Sequence, residues 1–118
     1  MTVTTDGEVP VYLKLRGLIA ARILEGRYPE GGQLPSVRIF AAENTVNPLT
    51  IAKAYQCLQD EGYIDVRRGV GMFVAVGATD RLRVQERQRF LSHIWPKMRA
   101  HIARLGISSE ELLEREHI

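Results

Sequence analysis

The sequence predicts a winged helix-turn-helix head followed by a helical tail: a mostly α fold with one small β-hairpin. Three observations predict it. Two helical patterns, around Ser36–Glu43 and Asn47–Asp60, are separated by only three residues. Directly after them, YIDVRRGVGMFVAV alternates like two short strands about a glycine-bearing turn. Beyond that hairpin, Val84, Leu91, Met98 and Leu105 fall seven residues apart, an apolar seam at heptad spacing.

In chain order, residues 1–9 read as a disordered start. Pro10 opens the first helix, where its missing N–H is harmless. Tyr12, Leu15, Ile19 and Ile23 recur at spacings of three and four, which predicts one buried stripe. That helix ends near Gly26, and GRYPEGGQLP holds too much proline and glycine to remain helical. Ser36 caps a short second helix through about Glu43, with Ile39 and Phe40 expected inward. Asn44, Thr45 and Val46 form the turn of a helix-turn-helix. The third helix, VNPLTIAKAYQCLQDEG, carries the firmest signals: Asn47 as cap, Pro48 in the first turn, a Val46–Ile51 staple and Gly62 as stop. Ile51, Ala54, Tyr55 and Leu58 make its inward stripe, leaving Leu49, Thr50, Lys53 and Gln56 on the other side. The strands are expected at Tyr63–Arg67 and Met72–Ala75, around a turn at Arg68–Gly71.

Gly77 to Thr79 read as a short linker, and a long helix as starting at Asp80. Phe90, Ile94, Trp95 and Ile102 flank the heptad positions. Pro96 removes one backbone hydrogen bond and kinks or breaks this helix. Gly106 ends it. Ile107 and Ser108 open a last helix, with a Ser108–Glu111 capping box and an Ile107–Leu112 staple. The expected organisation is a disordered start at 1–9, a winged helix-turn-helix head at 10–76 and a helical tail at 80–118.

The chain has 118 residues, 45% of them hydrophobic and 25% charged, with a net charge of +2. That bounds it to one ordinary domain, or a small domain with an appendage. No apolar run approaches the roughly 20 residues a bilayer span needs. MTVTTDGEVP has neither a basic nor an apolar secretory region. The single Cys57 cannot form an internal disulfide, so a cytosolic protein is expected. Up to Val76 eight basic residues balance eight acidic ones. If the head binds nucleic acid, local placement does it and not overall charge. The basic excess lies between Arg81 and Arg104.

The exposed front of the third helix is the sharpest candidate site. N-terminal residues of a recognition helix enter the major groove. Asn47 and Thr50 have hydrogen-bonding groups for bases or phosphates, Leu49 offers an apolar contact to a thymine methyl, and Lys53 reaches a phosphate or a guanine. The bland alternative is a solvated, well-capped helix face. Arg38, in the first turn of the second helix, is placed to reach a groove edge, or else to form a surface ion pair. Arg67 and Arg68 sit at a hairpin tip beside Gly69, a basic point of close approach or a solvated turn.

With these residues in view, PSVRIFAAENTVNPLTIAKAYQCLQDEGYIDVRRGVGMFV and the preceding GRYPEGGQLP resemble the DNA-binding domain of GntR-family bacterial transcription regulators. That family leads with LPS-x-R, here Leu34-Pro35-Ser36-Val37-Arg38. Its recognition helix opens N-P-x-T, here Asn47-Pro48-Leu49-Thr50. Its wing ends R-x-G-x-G-x-F-V, here within Arg67 to Val74. The resemblance covers residues 10–76. It implies DNA contacts at Arg38, Asn47, Pro48, Thr50, Lys53, Arg68 and Gly69; Ser36, Leu49 and Arg67 complete the candidate set. Two departures stand out. The family's turn reads L-G-V, where this chain has Asn44-Thr45-Val46. The glycine suits a left-handed backbone, so a changed angle between the second and third helices is expected. Position 49 is often polar in relatives and is leucine here.

Residues 77–118, 42 in all, are too few for an independent effector-binding core. They resemble the two-helix tail of the YtrA subfamily, which dimerises through it, and the resemblance implies a homodimeric repressor. A two-fold dimer suits a palindromic operator with half-sites about one helical turn apart, and the expected place is the cytoplasm, at the nucleoid. The residues argue the same way. A helix exposing Val84, Phe90, Leu91, Ile94, Trp95, Met98, Ile102 and Leu105 carries a large apolar patch, which packs on a second copy or folds back on its own head. The residues show no nucleophile–base pair, phosphate loop or metal-ligand spacing, and the expectation is no enzyme, no cofactor and no metal. His93, His101 and His117 have no carboxylate or cysteine spacing that suggests a metal site, although His93 and His101 are two turns apart on one helix face, and Cys57 reads as a packed or half-buried thiol. A winged-helix module binding protein or RNA is the alternative. What discriminates against it is the combination of basic wing tip, Arg38 and capped helix front.

Overall fold

The computed structural model describes residues 9–115. Residues 1–8 of the expected disordered start, and His117, lie outside them. The chain divides into two compact units, one running to Arg83 and the next beginning at Val84.

In the first unit, helix α1 spans Val11–Leu24, α2 Val37–Asn44 and α3 Pro48–Asp60. Strands β1 (Ile64–Arg67) and β2 (Gly71–Val74) pair antiparallel, with Ile64 opposite Val74 and Arg67 opposite Gly71. Helix α4 begins at Ala78 and runs to Arg89. The core is built from the expected stripes: Leu15, Ile19 and Ile23 from α1 meet Ile51, Ala54, Tyr55 and Leu58 from α3, closed by Phe40, Ile64, Val74 and Leu82. Burying each such aliphatic side chain contributes about 1.5–3 kcal/mol.

Local capping explains where the helices start. Ser36 Oγ accepts the Ile39 N–H at 3.2 Å, and Asn47 Oδ1 accepts the Leu49 N–H at 2.8 Å. Pro48 then occupies a position where no N–H is needed.

Polar side chains tie the head together across long sequence separations. Arg16 is buried and pairs with Glu61 at 2.6 Å. Arg22 donates to Tyr28 Oη at 3.0 Å and to Asn44 Oδ1 at 3.1 Å, and its guanidinium lies 5.3 Å from the centre of the Phe40 ring. Tyr55 Oη donates to the Pro35 carbonyl at 2.8 Å, and burial raises the Tyr55 phenol well above its ordinary pKa. That bond pins the loop before α2 onto α3.

Some details depart from the sequence expectations. Ile39 does not face inward; it is 50% exposed, while Phe40 is fully buried. Adjacent residues lie about 100° apart around a helix. The core side of α2 is the Val37, Phe40, Ala41, Asn44 row, so Ile39 falls off it. β1 begins one residue later than expected, β2 lies one residue earlier, and α2 keeps its Ser36 cap but runs one residue further, to Asn44.

The proline- and glycine-rich loop does not simply wander. Gly31 N–H donates to Val74 O at 2.8 Å, Leu34 N–H to Met72 O at 2.8 Å, and Gln33 bridges to Phe73, so the loop runs along the free edge of β2. Gly77 to Thr79 are no loose linker. The Glu30 carboxylate accepts the Gly77 and Thr79 N–H groups at 2.9 and 3.0 Å, satisfying otherwise unpaired donors at the start of α4. Those two bonds hold the Glu30 carboxyl below its ordinary pKa. Ala78 and Leu82 are fully buried in the head, and Arg81 donates to the Gly62 carbonyl at 2.8 Å.

Thr45, at the position where the family carries glycine, is the one non-glycine among the described residues with positive φ (φ 53°, ψ 52°). A β-branched residue is strained in that left-handed conformation. Thr45→Gly is therefore expected to raise stability by about 0.5–1 kcal/mol, the relief of strain outweighing the added freedom of the unfolded chain. The measurement is a urea midpoint at unchanged slope; a lower midpoint would show that the turn is relaxed.

In the second unit, a π-helical turn over Phe90–Ile94 leads into α5 (Trp95–Leu105) and α6 (Ser109–Arg115). The Trp95 N–H bonds to Phe90 O, five residues back. Pro96 explains the wide turn: it has no N–H to give, and its ring clashes with the carbonyl four residues earlier in a normal α-helix. The helix therefore continues past the proline without breaking. The capping box forms as expected, Ser108 Oγ accepting the Glu111 N–H at 3.1 Å and Glu111 Oε1 accepting the Ser108 N–H at 3.0 Å.

Candidate nucleic-acid interface

The front of α3 is presented to solvent. Leu49, directly after the Asn47 cap and Pro48, is 80% exposed, although a leucine there gains nothing from water. Thr50 is half-buried and Lys53 is exposed one turn further on. The Asn47 carbonyl oxygen is engaged by its own cap, which leaves its amide N–H₂ as the outward donor. Ser36 is engaged in the same way, its hydroxyl proton remaining free to donate. Arg38 is exposed on the first turn of α2 and has no hydrogen bond or ion pair among the described residues.

Lys53 is not a loose cation. Its ammonium sits 4.3 Å from the centre of the Tyr12 ring, in the first turn of α1. Val11, Tyr12, Leu49, Thr50 and Lys53 line a shallow open cleft of about 350 Å³. The structure thus gathers Leu49, Thr50 and Lys53 in one place. It adds Val11, which no sequence pattern singled out, and Tyr12, which helical spacing places on the buried stripe of α1 but which is only half-buried.

The wing is the β1–β2 hairpin. The Arg67 guanidinium sits over Phe73, 4.2 Å from the ring centre, whereas Arg68 at the tip is exposed with no aromatic ring against it among the described residues. Gly69 takes φ 78°, and a Cβ there would meet open space, so backbone geometry and not crowding asks for glycine. Gly71 differs: at φ 147° a side chain would also collide with the Gln33 amide. Gln33 Nε2 in turn donates to the Val70 carbonyl at 3.1 Å and braces the wing from behind. No local sequence signal marks Gln33, because its partners lie about 37 residues away.

Among the described residues no group of three or more His, Cys, Asp or Glu side chains could hold a metal ion. No described helix is long and apolar enough to cross a membrane.

Three helices with a capped, outward α3 front, followed by a hairpin with a basic glycine tip, define a winged helix-turn-helix DNA-binding domain. Residues 11–74 match the family described as bacterial regulatory proteins, gntR family. The chain belongs to that family: it is a DNA-binding transcription regulator and not an enzyme. It is 34% identical over 107 residues to YhcF of Bacillus subtilis (strain 168), an uncharacterized HTH-type transcriptional regulator, covering 89% of this chain and 85% of YhcF. The HTH-type transcriptional repressor YtrA of the same organism is 36% identical over 73 residues, 62% of this chain and 56% of YtrA. Among solved structures, a transcriptional regulator from Oenococcus oeni superposes with a TM-score of 0.71 at 29% identity, covering 99% of this chain and 94% of that one. The AraR DNA-binding domain in complex with operator ORR3 matches with a TM-score of 0.53 at 27% identity, over 57% of this chain and 81% of that one.

Proposed function

We propose that this regulator is a homodimeric repressor acting in the cytoplasm at the nucleoid, whose head, residues 10–76 with the first turn of α4 packed against it, reads a palindromic operator and whose tail, within residues 80–118, joins two copies. The single observation that carries the DNA-reading assignment is the exposed front of α3, where Leu49 faces water beside Thr50 and a held Lys53. Phosphate contacts from Ser36, Arg38, Asn47, the start of α3 at Pro48, and the wing at Arg67, Arg68 and Gly69 set the register. Leu49, Thr50 and Lys53 then meet base edges in the major groove. Repression follows from occupying a promoter. The similarity to the repressor YtrA supports the sign of the regulation.

The dimer reading rests on the second unit. Val84, Phe90, Leu91, Ile94, Trp95, Met98 and Leu105 are all exposed, and Ile102 is partly so. Exposed apolar side chains in that number along one helical stretch mark an interaction surface. Two-fold symmetry would also place two α3 fronts on successive major grooves, with half-sites about 10 base pairs apart.

Selection of bound sequences from a random duplex library tests the whole reading. A two-fold symmetric motif is expected, and recovery of no enriched sequence would refute it. Against that motif, Lys53→Ala and Arg38→Ala are each expected to weaken binding by about 1–3 kcal/mol. Gel shifts in which both variants match the parent would remove these residues from the interface.

A further inference from the structure

We propose that Tyr12 is a positioning residue for DNA reading: its ring holds the Lys53 ammonium over the front of α3, and the cleft between them receives one base edge. The inference rests on the DNA-reading role of Lys53 and Thr50 proposed above and deepens it by adding a residue outside the helix-turn-helix.

The geometry is specific. Lysine is a long, flexible side chain that normally samples many rotamers in water, and fixing it on binding costs entropy. Here the ammonium already lies 4.3 Å from the Tyr12 ring centre, within the range of a cation–π contact. Tyr12 stands in the first turn of α1, and α1 is anchored to α3 by Leu15, Ile19 and Ile23 on one side and Ile51, Ala54 and Leu58 on the other. The ring is therefore fixed to the same rigid body as the reading helix, and the cation it holds is pre-aimed.

The surroundings suit a base edge. Val11, Tyr12 and Leu49 give the cleft apolar walls, Thr50 supplies a hydroxyl, and Lys53 supplies the only charge among the lining residues. One apolar wall, one hydroxyl and one ammonium donor match a thymine methyl beside a purine acceptor in the major groove. A bulky, half-buried aromatic is not needed to begin a helix, and Pro10 already does that.

The test uses the full chain and the duplex motif recovered by selection, with Tyr12→Phe, Tyr12→Leu, Lys53→Met and the Tyr12→Leu/Lys53→Met double variant. Thermal midpoints are recorded for each to separate folding from binding. Tyr12→Leu, which keeps an apolar side chain and loses the π face, is expected to weaken binding about three- to tenfold and to flatten the preference at the base pair Lys53 contacts. Tyr12→Phe is expected to retain both affinity and preference. In the Lys53→Met background, Tyr12→Leu is expected to add less than about twofold, because the two residues act through one contact.

Parent-like affinity and base preference for Tyr12→Leu, with Lys53→Met impaired, would overturn the role of Tyr12 while leaving Lys53 as a reader. Additive losses in the double variant would overturn it equally, by showing that the two act independently. Parent-like binding by Lys53→Met would instead overturn the reading of DNA through Lys53, and the positioning role with it. Loss in Tyr12→Phe equal to that in Tyr12→Leu would assign the effect to the phenol hydroxyl and sink the platform.

Discussion

Replacing Leu91 and Trp95 together by alanine is expected to leave the protein monomeric at micromolar concentration. Both side chains are exposed on one helix, and Trp95 stacks on Phe90 with ring centres 6.5 Å apart and planes 26° off parallel. In a two-fold interface every substitution acts twice, once from each copy. Buried aromatic anchors at interfaces typically account for about 2 kcal/mol or more each. The double variant should therefore lose about 4 kcal/mol or more, at least a thousandfold in dimer Kd. Sedimentation across a concentration series reads this directly. The same variant should bind the full operator little better than a half-site, since two linked heads gain from effective concentration and one head does not. Unchanged sedimentation would remove this face from the interface.

The second large effect concerns the head. Leu82→Ala is expected to destabilise it by about 2–5 kcal/mol, the usual range for a fully buried leucine in a core that cannot collapse around the gap. Val84→Ala, two residues on at a side chain 57% exposed, should change head stability by less than about 0.5 kcal/mol. The contrast locates the end of the head. It predicts that a chain ended at Val76 is poorly stable, because Ala78, Leu82 and the Arg81 bond to Gly62 are all missing from it. Equal unfolding midpoints for Leu82→Ala and the parent would show that the first turn of α4 adds nothing to the core.

What was legible in the sequence was whatever is encoded within about four residues. Asn47 and Ser36 announced helix starts because a cap is a local bond, from side chain to an N–H two or three residues on. The Ser108–Glu111 box follows the same logic. The period of Ile51, Ala54, Tyr55 and Leu58 identified a buried face because α3 is long enough to repeat it. In α2, with eight residues, Ile39 and Phe40 are adjacent and apolar, and one turn of pattern does not choose between them. The remaining surprises are tertiary. Glu30 reaches Gly77 and Thr79 across nearly fifty residues, Arg16 reaches Glu61 across forty-five, and Gln33 reaches the wing. No spacing rule predicts such bonds; they exist because the fold brings the pairs together. The candidate site was half visible for the same reason: Leu49, Thr50 and Lys53 lie on one helix, whereas Tyr12 joins them only in space.

The wide turn at Phe90–Ile94 carries a consequence for assembly. A π-turn takes up one residue more than an α-turn, so everything after it is rotated back by one residue's worth of angle, about 100°. Val84 and Leu91 share a line along the first segment, but Met98 and Leu105 do not continue it; they fall nearer the line through Phe90. A seven-residue count on paper thus becomes a phase slip in three dimensions. Two such helices cannot lie side by side as one uninterrupted rope. In the proposed dimer the second copy therefore changes its grip at the slip, engaging Val84 and Leu91 on one bearing and Trp95, Met98 and Ile102 on another.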